Sequence, residues 1–139
     1  TVETNLIGAI ACLDAACALF RQQGHGHLVA VASVAGKRGL PHTAAYSASK
    51  AGLISYMEAT RAELLGKNID TTLLLPGFID TPLNSDMASR PFLIDVERGA
   101  ALIAKHIDKR HVSAYVPGWP WALLGRVLPY LPTSMIGKF

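Results

Sequence analysis

Apolar residues recur at three- and four-residue steps through Leu6, Ile10, Leu13, Cys17 and Phe20, the period of one helix face. They predict an amphipathic helix over residues 2–22, closed at Gln22-Gln23-Gly24, with Gly24 suited to a left-handed cap. The pattern then changes. "HLVAVAS" (27–33) is a short Val-rich apolar run and reads as a buried strand. A loop follows, then a second helix over about 44–66. "IDTTLLLPG" (69–77) predicts a second strand stopped by Pro76-Gly77, and the polar stretch 80–94 a long loop. A third helix is expected at 95–109 and a third strand at "HVSAYVP" (111–117), ahead of an apolar tail broken by prolines.

The order is α-β-α-β-α-β-tail. Helices alternate with strands, and the strand runs do not alternate in polarity. Both features point to an α/β fold whose parallel sheet is covered on both faces. At 139 residues the chain reads as a single domain, 1–139, with residues 111–139 as its last strand and tail.

Composition and charge narrow the picture. Half the residues are apolar and the net charge is only +3, so nothing suggests disorder. The densest basic cluster, Lys105, His106, Lys109, Arg110 and His111, reads as a solvated helix end, and no nucleic-acid signature accompanies it. Cys12 and Cys17 are five apart, on different helix faces, and are expected to be small buried residues rather than a disulfide or metal pair. His25 and His27 read as loop histidines at a strand entry, without a third ligand, so no metal is expected. No apolar run of membrane-crossing length stands out, and a cytoplasmic protein is expected.

The candidate chemistry lies in "AAYSASKAG" (44–52). Tyr46 and Lys50, at i and i+4, project from one helix face. A free phenol has a pKa near 10, too high for a base at neutral pH. An ammonium about 4 Å away, at an effective dielectric of about 20, is worth roughly 4 kcal/mol, or about three pKa units. Ligands of open parallel sheets bind outside the carboxyl ends of the strands. Ser33 ends the first strand, and Pro76-Gly77 ends the second.

Ser33, Tyr46 and Lys50 in "SVAGKRGLPHTAAYSASKAG" resemble the active site of the short-chain dehydrogenase/reductase family. "NLIG" (5–8) is similar to its Asn-containing motif, and "PGFIDT" (76–81) to its Pro-Gly cofactor segment. The resemblance covers nearly the whole chain, densest over 1–84. It implies the C-terminal part of a Rossmann-like doubly wound parallel sheet, and a carbonyl–alcohol oxidoreductase using NADP or NAD, with NADP slightly favoured. Tyr46 would be the general acid/base and Ser33 would hydrogen-bond the substrate oxygen. Lys50 would bind the nicotinamide ribose and lower the tyrosine's pKa, and Asn5 would hold a water linked to Lys50. Pro76, Gly77, the Ile79 backbone and Thr81 would form the nicotinamide side of the cofactor site. A homodimer or homotetramer built on the first two helices is also implied, and Phe78, Met87, Phe92, Trp119 and Trp121 suggest that the small carbonyl or alcohol substrate is apolar.

Other readings carry less. Ser47 to Lys50 makes an SxxK match, but the SDN and KTG elements of penicillin-binding proteins do not occur. A non-catalytic binding module, or an epimerase, dehydratase or enoyl reductase on the same fold, are the remaining alternatives. No Gly-rich pyrophosphate-binding turn precedes Asn5. The chain is therefore expected to be the C-terminal portion of a longer protein, inactive by itself, with one side of its first strand unpaired. The tail aromatics Trp119 and Trp121 are expected to line a substrate pocket or to pack on the domain or a partner subunit.

Overall fold

The computed structural model describes residues 1–87 and 89–137. A π-helical segment, Glu3–Gly8, leads into α1 (Ala9–Gln23), and β1 (Gly26–Val31), α2 (Ala44–Glu63) and β2 (Ile69–Pro76) follow. Then come α3 (Val96–Asp108), β3 (Ser113–Val116), α4 (Gly118–Val127) and the short α5 (Thr133–Ile136). Local chemistry sets several of these limits. Gly24 closes α1 at φ 79°, donating its N–H to the Phe20 carbonyl, a left-handed cap that a Cβ would strain. Asp95 caps α3 by accepting from the Arg98 N–H at 2.8 Å, which satisfies one of the free donors of the first turn.

The sheet has the order β1-β2-β3, and both pairings are parallel. Leu28 and Ala30 of β1 and Leu73 and Leu75 of β2 form one core with Leu13, Cys17, Leu53, Ile54 and Met57 of α1 and α2. The intervening side chains of β2, Thr72 and Leu74, are fully buried on the opposite face. On that side α3 packs against β2 and β3. Helices on both faces make the sheet the buried parallel kind that the unalternating strand runs predict. Within the described residues β1 pairs on one side only. Along its other side a cavity of about 470 Å³ opens between the strand and α1, lined by Ala9, Leu13, Phe20, Val29 and Val31 among others.

Four expectations need correction. The first helix begins as a wide π turn rather than as regular α-helix. Cys12 is exposed and only Cys17 is buried, because α1 offers one narrow face to the core. His27 lies inside β1, not in a loop, and its Nε2 is 2.7 Å from Thr72 Oγ1. Continuous helix from Glu3 to Gln23 is long and apolar enough to cross a membrane by length and composition. Core helices meet the same test, and this one places Leu13 and Cys17 in the core.

Candidate active site

β1 ends at Val31, and Ser33 follows in extended backbone at the head of a 3-10 turn, Val34–Gly36. Ser33 is buried, and its Oγ accepts from the Ala35 N–H at 3.1 Å. Among the described residues its own proton meets only the Pro76 carbonyl, 3.5 Å away at the end of β2. A donor held this loosely can turn to a better acceptor. The Ala35 contact meanwhile fixes where the oxygen sits.

Tyr46 and Lys50 lie in the first two turns of α2. Ser47 and Ser49 are buried between and beside them, Ser49 donating to the Tyr46 carbonyl at 2.7 Å. These small side chains let α2 press on the turn after β1. Lys50 Nζ sits 5.8 Å from the Tyr46 ring centroid and donates to the Val31 carbonyl at 2.9 Å. Burial pulls the Lys50 pKa below its ordinary value, since desolvation disfavours the charged form. Asn5 lines the same cavity as Lys50 and Val31. Its place in a π turn is one often found at functional sites. The Lys50 ammonium nevertheless bonds to the strand carbonyl, not to Asn5.

Pro76 and Gly77 sit at the end of β2, on the same rim as Ser33. Ile79 forms a parallel bridge with Ile94, and its carbonyl accepts from Asn84 Nδ2 at 2.9 Å. The Thr81 N–H reaches Asn84 Oδ1 at 3.4 Å. Asn84 thus ties both ends of the Ile79–Thr81 segment, and Arg90 holds Asp80 between them. Asn84 carried no motif in the sequence; only its polar character in a turn region hinted at it.

Gly77 permits a close approach, and the group that approaches is Trp121. A Cβ on Gly77 would lie 2.1 Å from the indole Nε1. Trp121 is buried, stacks edge-on to Phe92 and tilts against Phe78. Its N–H has no hydrogen-bond partner among the described residues. The two tail tryptophans therefore part ways: Trp121 packs on the Pro-Gly segment, while Trp119 is 77% exposed. Packing on the domain holds for Trp121, whereas Trp119 does not pack on the domain.

The rim thus gathers a loosely held hydroxyl, a phenol, a half-buried ammonium and a glycine-containing segment tied down by Asn84. That set of hydroxyl, phenol and ammonium donors has the chemistry to meet the polar nicotinamide end of a dinucleotide. Among the described residues no three His, Cys, Asp or Glu side chains cluster for a metal.

Comparison with known proteins places the chain in a family and fold. Residues 1–91 match the family described as short chain dehydrogenase. An uncharacterized oxidoreductase of Mycobacterium tuberculosis is 39% identical over the whole chain, which covers 55% of that protein. A 3-oxoacyl-[acyl-carrier-protein] reductase of Synechocystis is 34% identical over 66% of the chain and 37% of its own length. Among solved structures, a short chain dehydrogenase from Burkholderia cenocepacia, in complex with NADP, superposes at a TM-score of 0.82. That match has 23% identity and covers 99% of this chain and 58% of that one, so it speaks for the fold. The chain spans about half the length of the curated relatives that it matches throughout. On the family match over residues 1–91, the chain belongs to the short-chain dehydrogenase family.

Proposed function

We propose that the protein containing this chain is an NAD(P)-dependent oxidoreductase that interconverts a carbonyl and a secondary alcohol. The observation that carries this reading is the placement of Lys50 Nζ over the Tyr46 ring, 5.8 Å from its centroid, on the rim where Ser33 follows the first strand. The nicotinamide cofactor supplies or accepts the hydride at the carbonyl carbon. The remaining chemistry belongs to the chain. Tyr46 Oη gives a proton to the substrate oxygen in reduction and takes it back in oxidation. Ser33 Oγ–H swings from the Pro76 carbonyl to that oxygen and holds it in place. Lys50 keeps one N–H on the Val31 carbonyl and turns its others to the ribose hydroxyls, keeping a positive charge close to the phenol, and Asn5 supports it through water. Pro76, Gly77, the Ile79 backbone and Thr81 hold the carboxamide, and NADP is favoured over NAD.

The substrate is small and apolar, since Phe78 and Phe92 pack with Trp121 beside Gly77. The working unit is a homodimer or homotetramer built on α1 and α2, and its location is cytoplasmic. A monodisperse monomer at micromolar concentration by light scattering would refute the assembly.

A panel of apolar aldehydes, ketones and secondary alcohols, followed through nicotinamide absorbance, tests the activity. Reduction of at least one ketone, faster with NADPH than with NADH, is expected. Tight binding of both cofactors with no turnover across the panel would sink the reading and favour a non-catalytic role.

A further inference from the structure

The basic cluster at the end of α3 is more than a solvated helix end. After Asp108 the helix is stopped by two crossed backbone bonds. The Arg110 N–H donates to the Ile107 carbonyl at 2.9 Å, and the His111 N–H to the His106 carbonyl at 3.1 Å. This is a left-handed helix stop, and the left-handed residue is Arg110, at φ 51°. Glycine fills that role at the end of α1, where Gly24 has no Cβ to strain. An arginine in the same conformation is strained and must be held there.

Arg110 itself pairs with Asp70 of β2. A further contact joins the residues on either side of the stop, where an apolar pair is usual. Here the pair is His106 and His111, Nδ1 to Nδ1 at 2.7 Å, with ring centroids 5.0 Å apart. Two ring nitrogens bond at that distance only when one donates a proton and the other offers a bare lone pair. One added proton on the pair leaves the accepting nitrogen bare, so the bond survives. A second fills that lone pair, and the contact becomes a meeting of two cations. The surroundings oppose that second proton. Burial, the His111 ring and the Lys105 and Lys109 ammoniums all hold the His106 pKa below its ordinary value. Of the neighbouring carboxylates, Asp70 is taken by Arg110, and Asp108 lies two residues from His106, on the far side of the helix. β3 carries no Asp, Glu, Lys, Arg or His. Arg61 of α2 is bonded to Thr71 and to the Val112 carbonyl, and His27 of β1 feels Arg110 and Asp70.

We propose that the His106–His111 pair is an acid-sensitive catch on the end of α3, closed while the pair carries at most one added proton and open when it carries two. Opening frays the last turn of α3 and the Lys109–His111 stop. It goes no further, because Val112 stays anchored: its carbonyl accepts from the Leu73 N–H at 3.1 Å and from Arg61 Nη2 at 2.9 Å. β3 therefore keeps its register while the helix packed over β2 and β3 loosens. The unfolded chain takes up the second proton near the ordinary histidine value of about 6.5, and the folded pair resists it. The stability that the catch contributes is thus full above about pH 6.5 and is lost as pH falls below it. The catch lies at the amino end of the sheet, away from Ser33 and Gly77, and stands whether or not the rim reduces ketones.

Ring-nitrogen NMR of the complete protein, labelled at histidine, tests the catch without any substitution. His106 and His111 are expected to titrate in two steps at least about one pH unit apart, as strongly coupled sites do. Hydrogen exchange supplies the second readout. Between about pH 7.5 and pH 5 the Arg110 and His111 amides should lose about tenfold in protection, the weight of one pKa unit, after correction for intrinsic rates. The Gly24 amide, which closes α1 without a histidine pair, should keep its protection. His106→Leu with His111→Leu puts the usual apolar contact in place of the pair, and protection of its stop should not change with pH. His27, which burial also holds below its ordinary value, is present in both proteins, so its share cancels in the comparison. The proposal is overturned if the two rings titrate independently, if the stop stays fully protected in acid, or if the double variant loses protection as the parent does.

Discussion

Tyr46→Phe is expected to lower turnover of the complete protein by about 10²- to 10⁴-fold, the usual contribution of a positioned acid/base group. Dinucleotide affinity should stay within a few-fold of the parent. The substitution removes one hydroxyl and leaves the ring on α2. Lys50 keeps its own anchor, because its Nζ bonds to the Val31 carbonyl and not to Tyr46. The cation therefore stays where the ribose would meet it. The expected signature is a fall in kcat with cofactor binding preserved, read by single-turnover absorbance beside a calorimetric titration with NADPH. Lys50→Ala should differ by weakening both quantities. If Tyr46→Phe retains more than a few per cent of the parent rate, another group moves the proton and the assignment of Tyr46 fails.

What the sequence revealed and what it hid divide along a physical line. The three strands and three long helices were legible because each rests on a local period, 3.6 for α1 to α3 and unbroken apolar runs for β1 and β2. The placement of Ser33, Tyr46 and Lys50 followed from local spacing as well, since one turn and one i, i+4 step carry it. Contacts between distant residues left no such trace. Trp121 fills the space beside Gly77 from 44 positions away, and nothing in "GWPW" says which of its two indoles turns inward. His27 was misread as a loop residue because its partner, Thr72, lies on another strand. Cys12 was misjudged because a helix period gives the angle of a side chain but not the width of the face that packs. Asn84 went unnoticed for the same reason: it bonds main-chain atoms that only the folded loop brings to it.

Gly36 is the least visible of these positions, and replacing it should show a large effect. A Cβ there would lie 2.8 Å from the Lys50 carbonyl carbon, 2.9 Å from its oxygen and 2.8 Å from Ile54 Cδ1. Ile54 can turn aside. The Lys50 carbonyl is fixed within α2, so the 3-10 turn must retreat instead. That turn begins at Ser33, whose carbonyl accepts from the Gly36 N–H at 3.0 Å and whose Oγ accepts from Ala35. Backing the turn off α2 therefore moves the substrate-holding hydroxyl away from the Tyr46–Lys50 pair. Gly36→Ala is expected to cost about 1–3 kcal/mol of stability, as overpacking generally does. It should also lower kcat of the complete protein by about 10²-fold, the scale of an ångström-sized misplacement of a reacting group. Gly39→Ala, three residues along the same loop, is the matched control, because a Cβ there meets nothing within 4 Å. Thermal denaturation and steady-state kinetics on the two variants decide the matter. Should Gly36→Ala melt and turn over like Gly39→Ala, the turn is free to shift without consequence, and Ser33 is not held in place by its packing on α2.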